Sequence, residues 1–281
     1  MILMNSDDQT QNKQGLSPQE TRLLSKLSSQ GKNIIKIKDI EEALDCSYQN
    51  ARRIASDLTN KKWLKRLESG KYLIVPLEAG EKGEFTEHEF IIASKLIDPY
   101  YIGFLSALNF HGLTEQVPYT VFVATTKQKD LFELHGMNYQ FVTLTKDKFF
   151  GEKEYAIGDK KIKISTPEKT VIDCLDHLEH GGGLEQVSKA FSDFEGNFSQ
   201  KRLVEDALKL GNGAVIKRLL YLLHTLGVDL EDELKEKLRS KFSEGYSPLD
   251  PTKPARGPYK EKWGLRLNVT EEQILDWGGI K

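Results

Sequence analysis

Tyr48–Asn60 constrains this chain more than any other stretch. Ala51, Ile54, Ala55 and Leu58 recur there at helical spacing, which leaves Gln49, Arg52, Arg53, Ser56 and Asn60 on the opposite face. Ser47 stands where a helix cap is needed. Just before it, Ile40, Ala43 and Leu44 predict a short helix over 40–44, capped by Asp39 and closed by a tight turn at Asp45-Cys46. Two short helices about a three-residue turn, the second polar and basic on its free face, meet the requirements of a helix-turn-helix.

The flanks fit the same architecture. Ser17-Pro18-Gln19-Glu20 is a complete helix start: a Ser cap, Pro at the first helical position, and Glu placed to bond back to the cap amide. Leu23, Leu24 and Leu27 give that helix an apolar face ending near Gly31, and Asn33–Ile37 is a short β-rich run. Trp63–Leu67, the turn Glu68-Ser69-Gly70 and Lys71–Val75 predict a hairpin, ended by Pro76. Helix, strand, helix, helix, hairpin is the winged-helix order. The expected domains are a disordered arm over 1–15, a winged helix-turn-helix over 16–78, and a larger mixed α/β domain over 79–281, an α+β chain as a whole.

Charge agrees with this division. The net charge of −2 hides an asymmetry: Ser17–Val75 holds 12 Lys/Arg against 7 Asp/Glu, a net of +5, which leaves −7 for the rest. A basic module on an acidic body is a footprint of nucleic-acid binding.

Beyond residue 79, helices are predicted over Phe85–Leu96, broken by Asp98-Pro99, and over Tyr100–Phe110. Thr120–Thr125, Gln140–Leu144 and Lys161–Ser165 predict three strands of a small sheet. Thr166-Pro167-Glu168-Lys169 starts a helix reaching Leu178, Gly181-Gly182-Gly183 ends it, and helical spacing resumes over Leu184–Phe191, Leu203–Leu210 and Val215–Leu226. Gly245–Lys262 is expected to be an extended loop before a late strand, Trp263–Val269.

A recognition helix works by fitting the major groove, where free-face side chains meet base edges and cations hold phosphates. Gln49 and Asn50 carry amides able to read adenine, Arg52 and Arg53 suit guanine or phosphate, and Ser47, Tyr48 and Ser56 lie where backbone contacts form. Lys61, Lys62, Lys65, Arg66 and Lys71 follow on the wing, positioned to track flanking phosphates.

Little points to catalysis. The phosphate-cradle, dinucleotide-binding and HExxH signatures are absent, and the only cysteines, Cys46 and Cys174, give neither a disulfide framework nor a CxxC zinc site. Cys174, His177 and His180 with Asp173 and Asp176 form the densest group of possible ligands, but their spacing fits the polar side of a structural helix, so no metal or other cofactor is expected. No apolar run approaches the ~18–20 residues of a membrane helix, and the first residues lack signal-peptide regions, so a cytoplasmic protein without membrane contact is expected.

Several segments then occur in a known order. Tyr101–Leu108, His111-Gly112-Leu113-Thr114 and the Thr125-Thr126 strand end, after a winged helix, resemble the AbiEi-type antitoxins of type IV toxin–antitoxin systems. Ile164–Leu175 is similar to that family's most recognisable helix start, with His177 and Gly182-Gly183-Leu184 following and Lys262–Val269 fitting near the end. The resemblance implies a transcriptional repressor of its own operon, acting on double-stranded DNA repeats near its promoter. It further implies antagonism of a nucleotidyltransferase toxin in phage defence, carried by the C-terminal domain without catalysis.

Two other readings stay open on sequence. One is a stand-alone winged-helix regulator with a ligand-sensing or dimerising C-terminal domain. The other is a nuclease whose best fragment is Asp159-Lys160-Lys161 after Glu154.

Overall fold

The Ser17 start forms as expected. Its hydroxyl accepts the Glu20 amide proton at 3.3 Å and the Glu20 carboxylate accepts the Ser17 amide proton at 2.7 Å, opening α1 (Pro18–Ser29). The computed structural model describes residues 13–75, 88–134, 136–192 and 194–275. The chain divides into two compact units, 1–87 and 88–281. The expected domain boundary at 78/79 lies outside the described residues, as do residues 1–12 of the expected arm.

In the first unit, β1 (Ile34–Lys36), α2 (Ile37–Leu44), α3 (Tyr48–Asn60), β2 (Leu64–Glu68) and β3 (Lys71–Ile74) follow α1. The three strands form an antiparallel sheet in the order β1-β3-β2. Leu23, Leu27, Ile35, Ile40, Ala51, Ile54, Leu58 and Leu64 are all buried in one core. Two expectations need correction here. Helix α2 starts at Ile37, and Asp39 serves from its first turn by accepting the Lys36 amide proton at 2.7 Å. The arm does not extend to residue 15, because the Trp63 indole donates to the Gln14 carbonyl at 2.8 Å and the Gln14 amide to the Lys61 carbonyl at 3.2 Å.

The second unit begins with α4 (Glu89–Leu96), followed by β4 (Tyr101–Ile102), α5 (Phe104–Phe110), β5 (Thr120–Thr125), β6 (Phe132–Leu134), β7 (Met137–Thr143), β8 (Glu152–Ile157) and β9 (Lys160–Ser165). Residues 85–87 of the helix expected over Phe85–Leu96 are not described. The strands build a mixed six-stranded sheet, β6-β7-β5-β4-β9-β8. The helix expected over Tyr100–Phe110 is interrupted: Tyr101 and Ile102 pair with Ala124 and Val123 of β5, Ile102 also meets Ile164 of β9, and α5 starts only after Gly103. An apolar run at a sheet centre looks like a buried helix in sequence, and pairing decides between them.

Helices α6 (Pro167–Asp176), α7 (Leu184–Ala190), α8 (Phe194–Asn197), α9 (Gln200–Leu210), α10 (Gly213–Thr225) and α11 (Asp232–Arg239) come next. Short β10 (Ser247–Pro248), β11 (Tyr259–Lys260) and β12 (Leu265–Arg266) then form a second small sheet before α12 (Glu271–Leu275). The strand expected over Trp263–Val269 is thus only two residues long. Trp263 ends a 3₁₀ turn, Gly264 is left-handed at φ 59°, and Trp263 packs edge-on against Tyr221.

Helix α6 organises this unit. Glu168 through Leu175 are all buried, so its polar side chains must find partners inside the protein. Lys169 pairs with Asp173 one turn on, the Tyr101 hydroxyl donates to Asp173 at 2.8 Å, and the Lys169 ammonium lies 4.4 Å from the Phe150 ring centre. Gly151 makes room for the lysine: it is left-handed at φ 78°, and a Cβ there would lie 2.8 Å from Lys169 Cγ. Glu168 accepts the Ser199 amide proton at 3.0 Å, tying α6 to the start of α9, and Arg218 of α10 donates to the Leu175 carbonyl at 3.1 Å.

Asp206 of α9 lies beside this group, and burial raises its carboxyl pKa to about 6, with Glu168 and Asp173 adding to the effect against Lys169 and Lys209. A carboxyl whose folded pKa exceeds its unfolded value of ~3.9 gives up stability as pH rises between the two values, here from about 4 to about 6. Asp206→Asn is therefore expected to gain roughly 1–3 kcal/mol over wild type at pH 7.5 and close to nothing at pH 4. Urea unfolding of both proteins at the two pH values checks it, and an equal effect at both would contradict the burial account.

Candidate nucleic-acid interface

Helix α3 projects from a fixed base. Ala51, Ile54, Ala55 and Leu58 are buried at 0–4% exposure. The Ser47 hydroxyl accepts the Asn50 amide proton at 3.4 Å and caps the helix. Asp45 at the end of α2 takes a left-handed conformation, φ 51°, which an Asp tolerates and which turns the chain from α2 into α3.

The opposite face is open. Ser47, Tyr48, Gln49, Arg52, Arg53 and Ser56 are exposed and Asn50 is half-buried. Arg52 extends back over the Tyr48 ring at 6.0 Å, while Arg53 donates to the Asn50 amide oxygen at 3.1 Å and lies 3.7 Å from Asp57. These contacts lay both guanidiniums along the helix surface without enclosing them, because the Arg53 side chain stays 68% exposed.

The wing cations separate into two groups. Lys62 and Arg66 are exposed, and Lys65 is half-buried, with burial and then neighbouring Lys62 lowering its pKa. Lys61 instead pairs with Glu20 of α1 at 2.7 Å, and Lys71 pairs with Glu68 across the hairpin turn. Both are engaged in holding the fold. One cation is absent from the sequence-based set: Lys13 sits 4.6 Å from the Trp63 ring centre, brought there by the anchored residues after the arm. No periodicity surrounds Lys13, so only the fold places it.

The other candidate chemistries are arranged differently. Cys174 and Asp173 are buried in the core, and burial pushes the Cys174 thiol well above its usual pKa. The fragment read as nuclease-like is the turn of the β8–β9 hairpin, where Asp159 pairs with Lys160 at 3.0 Å and Lys161 with Glu154 at 3.7 Å. No helix among the described residues is long and apolar enough to cross a membrane.

The segments that carry the family resemblance serve the second unit's internal wiring. His111 Nε2 donates to the Ser165 carbonyl at 2.7 Å, Thr114 donates to Gln186 at 2.8 Å, and Asn268 donates to the Asp250 carbonyl at 2.7 Å. A crystal structure of the RV2827C protein from Mycobacterium tuberculosis is similar to this chain with a TM-score of 0.65, over 91% of this chain and 93% of that one. At 13% identity that likeness shows a shared fold alone. No curated protein matches the sequence. Residues 101–225 match the AbiEi antitoxin C-terminal domain family.

Proposed function

We propose that this chain is a DNA-binding antitoxin that represses its own toxin–antitoxin operon and counteracts a nucleotidyltransferase toxin. In this reading residues 16–78 are a winged helix-turn-helix, residues 79–281 carry antitoxicity without catalysis, and the protein acts in the cytoplasm in phage defence. The observation that carries the DNA half is the face of α3: four exposed or half-exposed groups able to read bases, Gln49, Asn50, Arg52 and Arg53, on a helix fixed by four buried residues. Lys62, Lys65 and Arg66 on the adjoining hairpin supply phosphate contacts. Lys61 and Lys71 contribute through their positive charge from within ion pairs. The antitoxin half rests on the family of residues 101–225.

The two halves separate in one experiment. A reporter behind the chain's own upstream region is expected to be repressed by wild type and released by Arg52→Ala/Arg53→Ala, while the same variant still protects cells expressing the toxin encoded beside it. Repression that survives the double variant would remove α3 as the reading element. Failure of wild type to protect would remove the antitoxin half.

A further inference from the structure

Helix α6 stops at His177, and the way it stops brings Glu179, which a continuing helix would turn away, together with His177 and His180. His177 has left helical geometry, at φ −134° and ψ 70°, and the chain turns tightly through His180, whose amide donates to the His177 carbonyl at 2.9 Å. On a regular helix, residues two apart face different sides. Here His177 Nδ1 lies 3.4 Å from Glu179 Oε1, His180 Nε2 lies 3.9 Å from the same oxygen, and one donor atom from each of the three residues falls within 4.8 Å of the others.

We propose that His177, Glu179 and His180 form a binding site for a zinc-class divalent cation. Two imidazoles and a carboxylate are a recurrent zinc donor set, and with bonds of ~2.0–2.1 Å a tetrahedral ion needs its ligands ~3.3 Å apart, close to the His177–Glu179 spacing already present. The support behind the ligands fits as well. His177 Nε2 faces the Asp176 carboxylate at 3.5 Å, leaving Nδ1 for the ion, and Asp176 is itself held by Lys148 at 2.6 Å and Asn212 at 2.7 Å. A carboxylate behind a ligating histidine fixes its tautomer and orientation. His180 is held by edge contacts to Phe104 at 5.5 Å and tilted packing on Phe122 at 5.4 Å. Glu179 is 52% exposed, so the remaining coordination position opens to solvent. The ligand set differs from the grouping visible in sequence: Glu179 takes the place that spacing gave to Cys174, which is buried in the core.

The test uses the full chain stripped of metal with a chelator and titrated with Zn2+ by calorimetry, and with Co2+ by visible absorption. One equivalent of Zn2+ is expected to bind with micromolar or tighter affinity, Co2+ is expected to give ligand-field bands of a four- or five-coordinate site, and saturating Zn2+ is expected to raise the Tm by several degrees. His177→Ala and His180→Ala are each expected to weaken binding at least 100-fold, Asp176→Asn by ~10–100-fold, and His224→Ala, outside the cluster, not at all. If the histidine variants lose their fold, Glu179→Gln at an exposed position decides, with at least a tenfold loss expected. No binding at 100 µM Zn2+, or affinity unchanged in Glu179→Gln and the folded histidine variants, would overturn the site.

Discussion

Lys169→Met is expected to destabilise the second unit by about 3–5 kcal/mol, the cost of breaking a buried ion pair from one side. Lys169 and Asp173 are 0% and 1% exposed at the side chain, so neither charge has water to fall back on. With the ammonium gone, Asp173 keeps only the Tyr101 hydroxyl, and burial already pushes its carboxyl above the ordinary value. The carboxyl then takes up a proton to escape the uncompensated charge, so the loss is expected to be larger at pH 8 than at pH 5. Methionine retains the volume and the packing on Phe150, which isolates the effect of the charge. Lys169→Met/Asp173→Leu is expected to recover part of the loss and to leave the Tyr101 hydroxyl short of its acceptor. Denaturant unfolding checks both variants, and a single-variant cost below about 1 kcal/mol would show that the pair does not anchor α6.

Arg52→Ala/Arg53→Ala is expected to weaken binding to the chain's own operator by ~10²–10⁴-fold, since a good base contact is worth ~1–3 kcal/mol and two are removed. Both positions are exposed and outside the core, so unfolding curves are expected to stay near wild type. Lys62→Ala should behave differently. Removing a phosphate-binding cation from the exposed wing weakens specific and non-specific DNA alike and lowers the salt slope by about one, without changing which sequence is preferred. Competition assays with operator and scrambled duplexes distinguish the two patterns. Equal losses on both duplexes for the arginine variant would assign those residues to the backbone and not to the bases.

Local signals make α3 legible in the sequence. Its cap, apolar stripe and free face all lie within Ser47–Asn60, and each is decided by residues three or four apart. Long-range pairing explains what sequence did not reveal. Tyr101 and Ile102 form a strand because β5 and β9 flank them, and β8, a half-exposed strand over Glu152–Ile157, lacks the apolar alternation that would mark it. Helix α11, DELKEKLR, buries only Leu238 fully and so gives a weak stripe. Buried Lys169 and Asp173 run against the rule that helical charges face water, and Tyr101, 68 to 72 positions away, with Phe150 over the ammonium, shows why they do not. At the candidate site the same limit holds. Lys61 looks like a free wing cation in sequence, and its partner Glu20 lies 41 residues upstream.

Whether α3 and its wing bind DNA is decided by the affinity of the full chain for its own upstream duplex, measured from 50 to 300 mM salt. Lys62, Lys65 and Arg66, with Lys61 and Lys71 contributing charge from within their ion pairs, predict on the order of three to five phosphate contacts per protomer at most, so log K is expected to fall with log salt at a slope of about −3 to −4.5. The preference over a scrambled duplex is expected to persist across the series. A flat salt response, or equal affinity for both duplexes at every salt concentration, would contradict DNA recognition by this face.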